Sequence, residues 1–215
     1  YISVNAGFGD EHSAAQEVEY LNGSVNTPMG ALRAKNGHVE PYHVKFWNIG
    51  NEPWGSWQLG QTTIPYFTMK HNLFAKAMRK VDPSIVLIAS GEMLHADNLN
   101  DAQKAKYSGD IQPFLGADDD WYAGFIKNSW GNFDGIAEHW YTSPPRPANG
   151  AAPAPTGPMS DQDLIAFARV PANTVQGEAN EFHMYQKQYP QMVDKNTFLS
   201  CLLYTSPSPR DRQKS

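Results

Sequence analysis

The stretch His43-Val-Lys-Phe-Trp-Asn-Ile-Gly-Asn-Glu-Pro-Trp54 carries the strongest structural signal in this chain of 215 residues. Its first part, residues 43–50, is rich in β-branched and aromatic side chains, which predicts a β-strand. Asn51 and Glu52 follow directly after this predicted strand. The stretch therefore predicts a strand that delivers an ionisable carboxyl group at its C-terminal end.

Strands and helices are predicted to alternate outward from this strand. Ile85–Ala89 is a continuous apolar run, typical of a strand buried on both faces of a parallel sheet. The other predicted strands are Tyr1–Val4, Phe133–Tyr141 and Asn196–Leu199. The predicted helices are Asp10–Leu21, with Asp10 as N-cap, Ile64–Val81, Trp121–Trp130 and Ala172–Tyr189. Five strands separated by four helices predict an α/β protein with a parallel sheet, open or closed.

Three segments lack a regular pattern. Residues 22–42 are punctuated by Gly, Asn and Pro, and residues 143–159 are rich in Pro, Ala and Gly, so both are predicted to be irregular. Residues 201–215 change composition abruptly and resemble the translation of a sequencing adapter. We therefore expect one domain over residues 1–200 and an unstructured, non-native tail over residues 201–215.

Composition excludes several classes of protein. Seventeen Lys and Arg against 22 Asp and Glu give a formal net charge of −5, which argues against nucleic-acid binding and a polybasic membrane anchor. No apolar run is long enough for a membrane span. The single cysteine, Cys201, excludes an internal disulfide. No pair of His residues has a spacing typical of zinc, so neither a metal site nor a cofactor is predicted.

The surroundings of Glu52 indicate acid–base chemistry. Carboxyl groups at the C-terminal ends of strands build the active sites of α/β barrels. Trp54 and Trp57 follow closely and offer aromatic faces for stacking on a sugar. Partial desolvation by such neighbours would raise the pKa of the Glu52 carboxyl, as a general acid near neutral pH requires.

The segment Trp47-Asn-Ile-Gly-Asn-Glu-Pro-Trp-Gly-Ser-Trp-Gln-Leu-Gly60 resembles the acid/base segment of glycoside hydrolase family 51, the α-L-arabinofuranosidases. Further stretches resemble other parts of that family. They are Val4-Asn-Ala-Gly-Phe-Gly9, Ala14–Asn22, Leu32–His38, Pro41–Lys45 and Gly135-Ile-Ala-Glu-His-Trp-Tyr141. The resemblance covers roughly residues 1–200 and implies a retaining glycosidase with a (β/α)8 barrel.

The resemblance also sets the register of the strands. With Glu52 at the end of the fourth barrel strand, the chain would hold strands three to seven of the barrel. A complete barrel takes about 250 residues, so a partial barrel is expected. The first two strands, the eighth strand and the family's C-terminal β-sandwich would then lie outside this chain.

The implied reaction releases terminal α-L-arabinofuranosyl groups from arabinan, arabinoxylan or related oligosaccharides, with Glu52 as the general acid/base. Retaining enzymes also need a nucleophilic carboxylate, which the family places at the end of the seventh strand. Here that strand runs from Lys195 to Ser200 without an acidic residue. We therefore expect the nucleophile to be missing and the chain alone to be inactive. Glu92 and Glu138 are the remaining candidates, and neither matches the nucleophile motif.

Five residues are predicted to bind the sugar. The resemblance implies that Asn51 hydrogen-bonds the 2-hydroxyl group, although strict strand alternation would turn Asn51 and Glu52 to opposite faces. His139 and Tyr141 share one face of a predicted strand and would bind the sugar or orient a carboxylate. The other two residues are Asn5, which follows the predicted strand Tyr1–Val4, and Trp54. Structural alternatives are a turn-capping role for Asn51 and packing at the barrel rim for His139 and Tyr141.

Two other readings of function stay open. One is a related activity of the same clan, endoglucanase or β-xylosidase, since a fold does not fix a substrate. The other is a non-catalytic sugar-binding barrel. The expected partner is an arabinose-containing oligosaccharide or polysaccharide. Binding to nucleic acid or to a membrane is not expected. Homo-oligomerisation of the full-length protein stays open, and the location in the cell is undetermined, with the cytoplasm favoured.

Overall fold

A single parallel sheet organises the protein. The computed structural model describes residues 1–95, 99–142 and 160–204, with side chains except at 140–142, 163, 164, 167 and 201–204. The strands are β1 (Ile2–Val4), β2 (Phe46–Ile49), β3 (Val86–Ser90), β4 (Gly135–Thr142) and β5 (Asn196–Tyr204). They lie in chain order, and each pairs in parallel with the next. The predicted α/β fold with a parallel sheet is confirmed.

Helices fill each connection between consecutive strands. They are α1 (Glu11–Asn22), α2 (Pro28–Lys35), α3 (Ile64–Val81), α4 (Asp101–Lys104), α5 (Trp121–Asn128) and α6 (Asp161–Gln188), with 3₁₀ turns at Gln112–Phe114 and Pro190–Asp194. The bounds of α3 agree with the prediction. Asp10 caps α1 as predicted, because its carboxylate accepts a hydrogen bond from the backbone N–H of Ser13 at 2.7 Å. Among the described helices, none combines the length and the apolar character that a membrane span requires.

The core lies between the sheet and the helices. Trp47, Leu87 and Ile136 on three neighbouring strands are each 0 % exposed. On the helices, Phe74 of α3 and Phe125 of α5 are buried against the same cluster. A strand flanked by buried side chains has no solvated face, which explains the continuous apolar run at 85–89.

The prediction that residues 22–42 are irregular was wrong for Pro28–Lys35, which form α2. Thr27 caps this helix through a hydrogen bond from the backbone N–H of Gly30 at 3.2 Å, and Pro28 occupies its first turn. Pro is favoured at that position because its missing N–H would have no partner inside the helix. The residues that suggested an irregular segment are therefore start signals of a short helix.

Helix α6 begins at Asp161, well before the predicted start at Ala172. Pro171 lies inside the helix, and a proline in such a position usually indicates a boundary. Of the predicted loop at 143–159, all residues lie outside the described part of the chain. At the other end, β5 continues to Tyr204, four residues past the predicted domain boundary, and residues 205–215 lie outside the described part.

His71 on α3 makes stability depend on pH. Its ring is fully buried between aromatic side chains, with Phe125 at 5.0 Å between ring centroids, and its Nε2 lies 3.2 Å from the carbonyl oxygen of Asn132. Burial lowers the pKa of His71 from 6.5 to about 4. Between these values the unfolded chain binds a proton that the folded chain does not, so stability falls as pH drops below 6.5.

We expect the purified protein to lose roughly 3 kcal/mol more unfolding free energy between pH 7 and pH 4 than its H71Q variant loses. Urea unfolding at the two pH values measures this difference. The variant H12Q, which alters an exposed histidine on α1, should follow the unmodified protein. Equal losses in the unmodified protein and H71Q would contradict the expectation.

Candidate active site

Glu52 lies just past the C-terminal end of β2, where the backbone leaves strand geometry. Gly50 has φ +82° and Glu52 has φ +46°, a left-handed conformation that is uncommon for a residue with a side chain. The backbone N–H of Glu52 donates a hydrogen bond to the hydroxyl oxygen of Ser90, the last residue of β3, at 3.1 Å. The turn is thus tied to the neighbouring strand, and strict alternation no longer applies to Asn51 and Glu52.

Hydrogen bonds orient both carboxyl oxygens of Glu52. Oε2 accepts from the indole Nε1 of Trp57 at 2.7 Å and from the amide Nε2 of Gln58 at 3.1 Å. Oε1 lies 2.7 Å from Nδ1 of His139 on β4. Glu52 is buried, with 7 % of its surface exposed. The carboxyl group therefore has a fixed direction in a largely desolvated place, which suits a group that transfers protons.

Aromatic rings surround this carboxyl group. The indole of Trp54 meets the ring of His139 edge-on at 6.3 Å between centroids and that of Trp121 at 5.6 Å. Trp57 is 69 % exposed although its N–H points to Glu52. An exposed indole next to a carboxyl group offers a flat apolar surface beside a polar group, as sugar sites require.

The structure brings together only some of the residues predicted to bind the sugar. His139 contacts Glu52, and the ring of Trp54 contacts that of His139. The Asn51 side chain is exposed at the turn. The Oδ1 atom of Asn5 accepts hydrogen bonds from the backbone N–H groups of Gly7 and Phe8, each at 3.1 Å, so this amide oxygen closes a loop. The side chain of Tyr141 lies outside the described part of the structure.

Three contacts of Glu52 were missed from the sequence. Trp57 was considered only as a stacking surface, and Gln58 and Ser90 were not considered. Trp57 and Gln58 follow Glu52 by five and six residues, so a tight turn after Pro53 was the signal that could have indicated them. Ser90 comes from another strand, and only the sheet register places it beside Glu52.

A second group of ionisable residues lies around Glu138, the residue before His139 on β4. This carboxyl group is 2 % exposed and accepts a hydrogen bond from the backbone N–H of Met93 at 2.6 Å. Burial raises the pKa of Glu138 well above its usual value. His95 lies nearby with Glu181 and Glu178, and although burial opposes it, contact with Glu181 raises the pKa of His95 to about 9. Glu138 is thus engaged away from the contacts of Glu52.

Comparisons with known proteins give a consistent result. The family model described as "Alpha-L-arabinofuranosidase 1 domain" matches residues 9–124. A probable α-L-arabinofuranosidase C of Aspergillus flavus is 47% identical over 92 residues, which cover 43% of this chain and 18% of that protein.

Two solved structures are also similar. The thermostable GH51 α-L-arabinofuranosidase of Thermotoga petrophila is 34% identical, with a TM-score of 0.51 over 66% of this chain and 24% of its own. The α-L-arabinofuranosidase of Thermotoga maritima, solved as an arabinose complex, is 26% identical, with a TM-score of 0.62 over 96% of this chain and 35% of its own.

The chain spans about a fifth of the length of the Aspergillus flavus relative, 18%. We use the term full-length protein for a protein that carries this chain together with the rest of that length.

Proposed function

This chain belongs to the α-L-arabinofuranosidase 1 domain family within glycoside hydrolase family 51, and from that premise we propose that it forms part of a retaining exo-glycosidase. The full-length protein releases terminal α-L-arabinofuranosyl groups from arabinan- or arabinoxylan-type oligosaccharides. The observation that carries the proposal is the buried Glu52 carboxyl group, held by Trp57, Gln58 and His139. The relatives named α-L-arabinofuranosidase support arabinofuranose as the sugar that is released.

In the first step, Glu52 gives its proton to the glycosidic oxygen while the bond from this oxygen to the anomeric carbon breaks. A carboxylate nucleophile attacks the same carbon, and a covalent glycosyl–enzyme ester forms. In the second step, water attacks the anomeric carbon, Glu52 takes a proton from this water, and the nucleophile leaves. We propose that the nucleophile lies at the end of the seventh barrel strand of the full-length protein, in a part that this chain lacks.

His139 acts on this cycle through its contact with Glu52. Nδ1 of the ring lies 2.7 Å from Oε1, so the ring holds the carboxyl group in one orientation through both proton transfers. Trp57 and Gln58 hold the other oxygen. A fixed direction matters because proton transfer requires hydrogen-bond distance to the reacting oxygen.

The sugar is bound at the same edge of the sheet. Asn51 and Asn5 follow β2 and β1, and Tyr141 lies near the end of β4. Because all strands are parallel, their C-terminal ends meet at one edge, which supports a shared site with Trp54. We also propose that β1 to β5 are strands three to seven of a (β/α)8 barrel, as their order in the sheet supports.

The full-length protein is expected to hydrolyse 4-nitrophenyl α-L-arabinofuranoside faster than the matching β-D-xyloside, and to leave carboxymethylcellulose intact. Proton NMR of the first product should show retention of the anomeric configuration. Reactions without the protein provide the background rate. A preference for the xyloside or for cellulose would favour the related clan activities, and an inverted product would contradict a retaining mechanism. Sugar binding without turnover would favour a non-catalytic barrel.

A further inference from the structure

The hydroxyl group of Ser90 joins the turn that carries Glu52 to the neighbouring strand. Ser90 is the last residue of β3 and is 0 % exposed. Its hydroxyl oxygen accepts a hydrogen bond from the backbone N–H of Glu52 at 3.1 Å. The two residues are 38 positions apart in the sequence, so this contact exists only in the folded sheet.

The backbone at Glu52 has an unfavourable conformation. Gly50 has φ +82° and Glu52 has φ +46°. Glycine adopts such angles freely, whereas a residue with a side chain does so at a cost in free energy. A residue in this conformation persists only where its surroundings hold it there. The contacts that fix the backbone of Glu52 therefore decide where its carboxyl group lies.

Both neighbouring strands hold this turn, but at different residues. On the β1 side, the hydroxyl group of Ser3 donates a hydrogen bond to the carbonyl oxygen of Gly50 at 2.9 Å. The backbone N–H of Gly50 donates to the carbonyl oxygen of Val4 at 3.1 Å. On the β3 side, the hydrogen bond to Ser90 reaches Glu52 itself. Ser90 thus acts on the residue that carries the carboxyl group.

Ser90 also lies between the two parts of the candidate active site. One part is the segment 52–58, whose own side chains donate hydrogen bonds to Oε2 of Glu52 and can move together with the turn. The other part is His139 on β4, 2.7 Å from Oε1. In the register between β3 and β4, Ser90 is paired with Ala137, two residues before His139. Anchoring the turn at Ser90 therefore fixes the distance between the Glu52 carboxyl group and the His139 ring.

We propose that Ser90 is a positioning residue for the acid/base. Its hydroxyl group holds the backbone of Glu52, so that the carboxyl group keeps its place beside His139 through both proton transfers. This inference rests on the proposed function of Glu52. Ser90 itself exchanges no proton with the substrate. Its effect on the reaction comes through Glu52 alone, because a small displacement of a reacting group slows a reaction strongly.

The test compares S90A with the unmodified full-length protein on a natural arabinoside and on an activated aryl arabinofuranoside. We expect kcat for the natural substrate to fall about 10–100-fold, since a displacement of about 1 Å can cost about 100-fold, with KM nearly unchanged. The value of kcat/KM for the activated substrate, which reports the first step, should fall much less, because a good leaving group needs no proton. Azide should speed the turnover of the activated substrate by S90A, since the second step needs Glu52 as a base.

The matched control is S129A. Ser129 is also 0 % exposed, and its hydroxyl group has no hydrogen-bond partner among the described residues. This variant should process both substrates as the unmodified protein does. Partial unfolding of S90A would lower both rates by the same factor and leave their ratio unchanged. If S90A slows both substrates equally, or slows neither, the proposal is overturned.

The double variant E52A/S90A gives an independent measurement. If Ser90 acts only through Glu52, the double variant should be as slow on the natural substrate as E52A alone. A further loss in the double variant would show that Ser90 acts by another route, which overturns the proposal. If E52A itself does not distinguish the two substrates, the proposed function fails. If E52A distinguishes them and S90A does not, only the role of Ser90 fails.

Discussion

Replacing Glu52 with Ala in the full-length protein is expected to slow the hydrolysis of natural arabinosides by about 10²–10⁴-fold, the usual share of general acid catalysis. With an activated aryl arabinofuranoside, the first step, which forms the glycosyl–enzyme, should suffer much less, because a good leaving group departs without a proton. Added azide should restore turnover of the aryl substrate, since azide attacks the glycosyl–enzyme without the help of a base. Steady-state rates on both substrates, with and without azide, measure these effects.

The control for this experiment is E40A, which removes an exposed carboxylate near the start of β2 and should leave both rates unchanged. If E52A slows natural and activated substrates equally and azide has no effect, Glu52 is not the acid/base. Unfolding of E52A would also slow both substrates equally, and circular dichroism detects it. The more conservative variant E52Q should likewise slow the natural substrate more than the activated one.

Replacing Arg33 with Met is expected to destabilise the protein by at least about 3 kcal/mol. Arg33 on α2 is 0 % exposed, and its guanidinium donates hydrogen bonds to four backbone carbonyl oxygens. These carbonyls belong to Tyr20, Gly23, His38 and Val39. Methionine has a similar length but no donor, so all four carbonyl groups would lose their partner inside the protein.

Urea unfolding at pH 7 measures this loss. The control is R79M, since Arg79 pairs with Asp134 at 2.8 Å and is partly exposed, with 26% of its side chain accessible, and ion pairs in contact with solvent contribute about 1 kcal/mol or less. A similar loss for R33M and R79M would show that the buried guanidinium contributes no more than an exposed one. R33K should fall between them, because an ammonium group cannot reach all four carbonyls.

Hydrophobic periodicity predicted helix α3 with its bounds and missed helix α2. Helix α3 has eighteen residues, enough turns for a regular spacing of apolar side chains to reveal it. Helix α2 has eight residues and buries only Gly30 and Arg33, so it has no apolar face to detect. What holds α2 in place is a set of contacts from Arg33 to carbonyls elsewhere in the chain, and these depend on the folded structure.

The candidate active site was predictable where the chain places its groups locally. Glu52 could be identified because a strand pattern ends just before it, and His139 because a second strand brings it to the same edge. The hydrogen bond from the backbone N–H of Glu52 to the hydroxyl oxygen of Ser90 depends on the register between β2 and β3, which a single sequence does not reveal. The exposure of Asn51 likewise depends on the left-handed backbone at Glu52.

The alternation along β4 limits how the gene can change. Glu138 and His139 are consecutive, and each serves a different face of the sheet. Any substitution at one of these positions leaves the other in place. The deletion or insertion of a single codon between Gly135 and Glu138 would instead turn the imidazole toward α6 and a carboxylate toward Glu52. This strand can therefore tolerate amino-acid substitutions more readily than a change in its length.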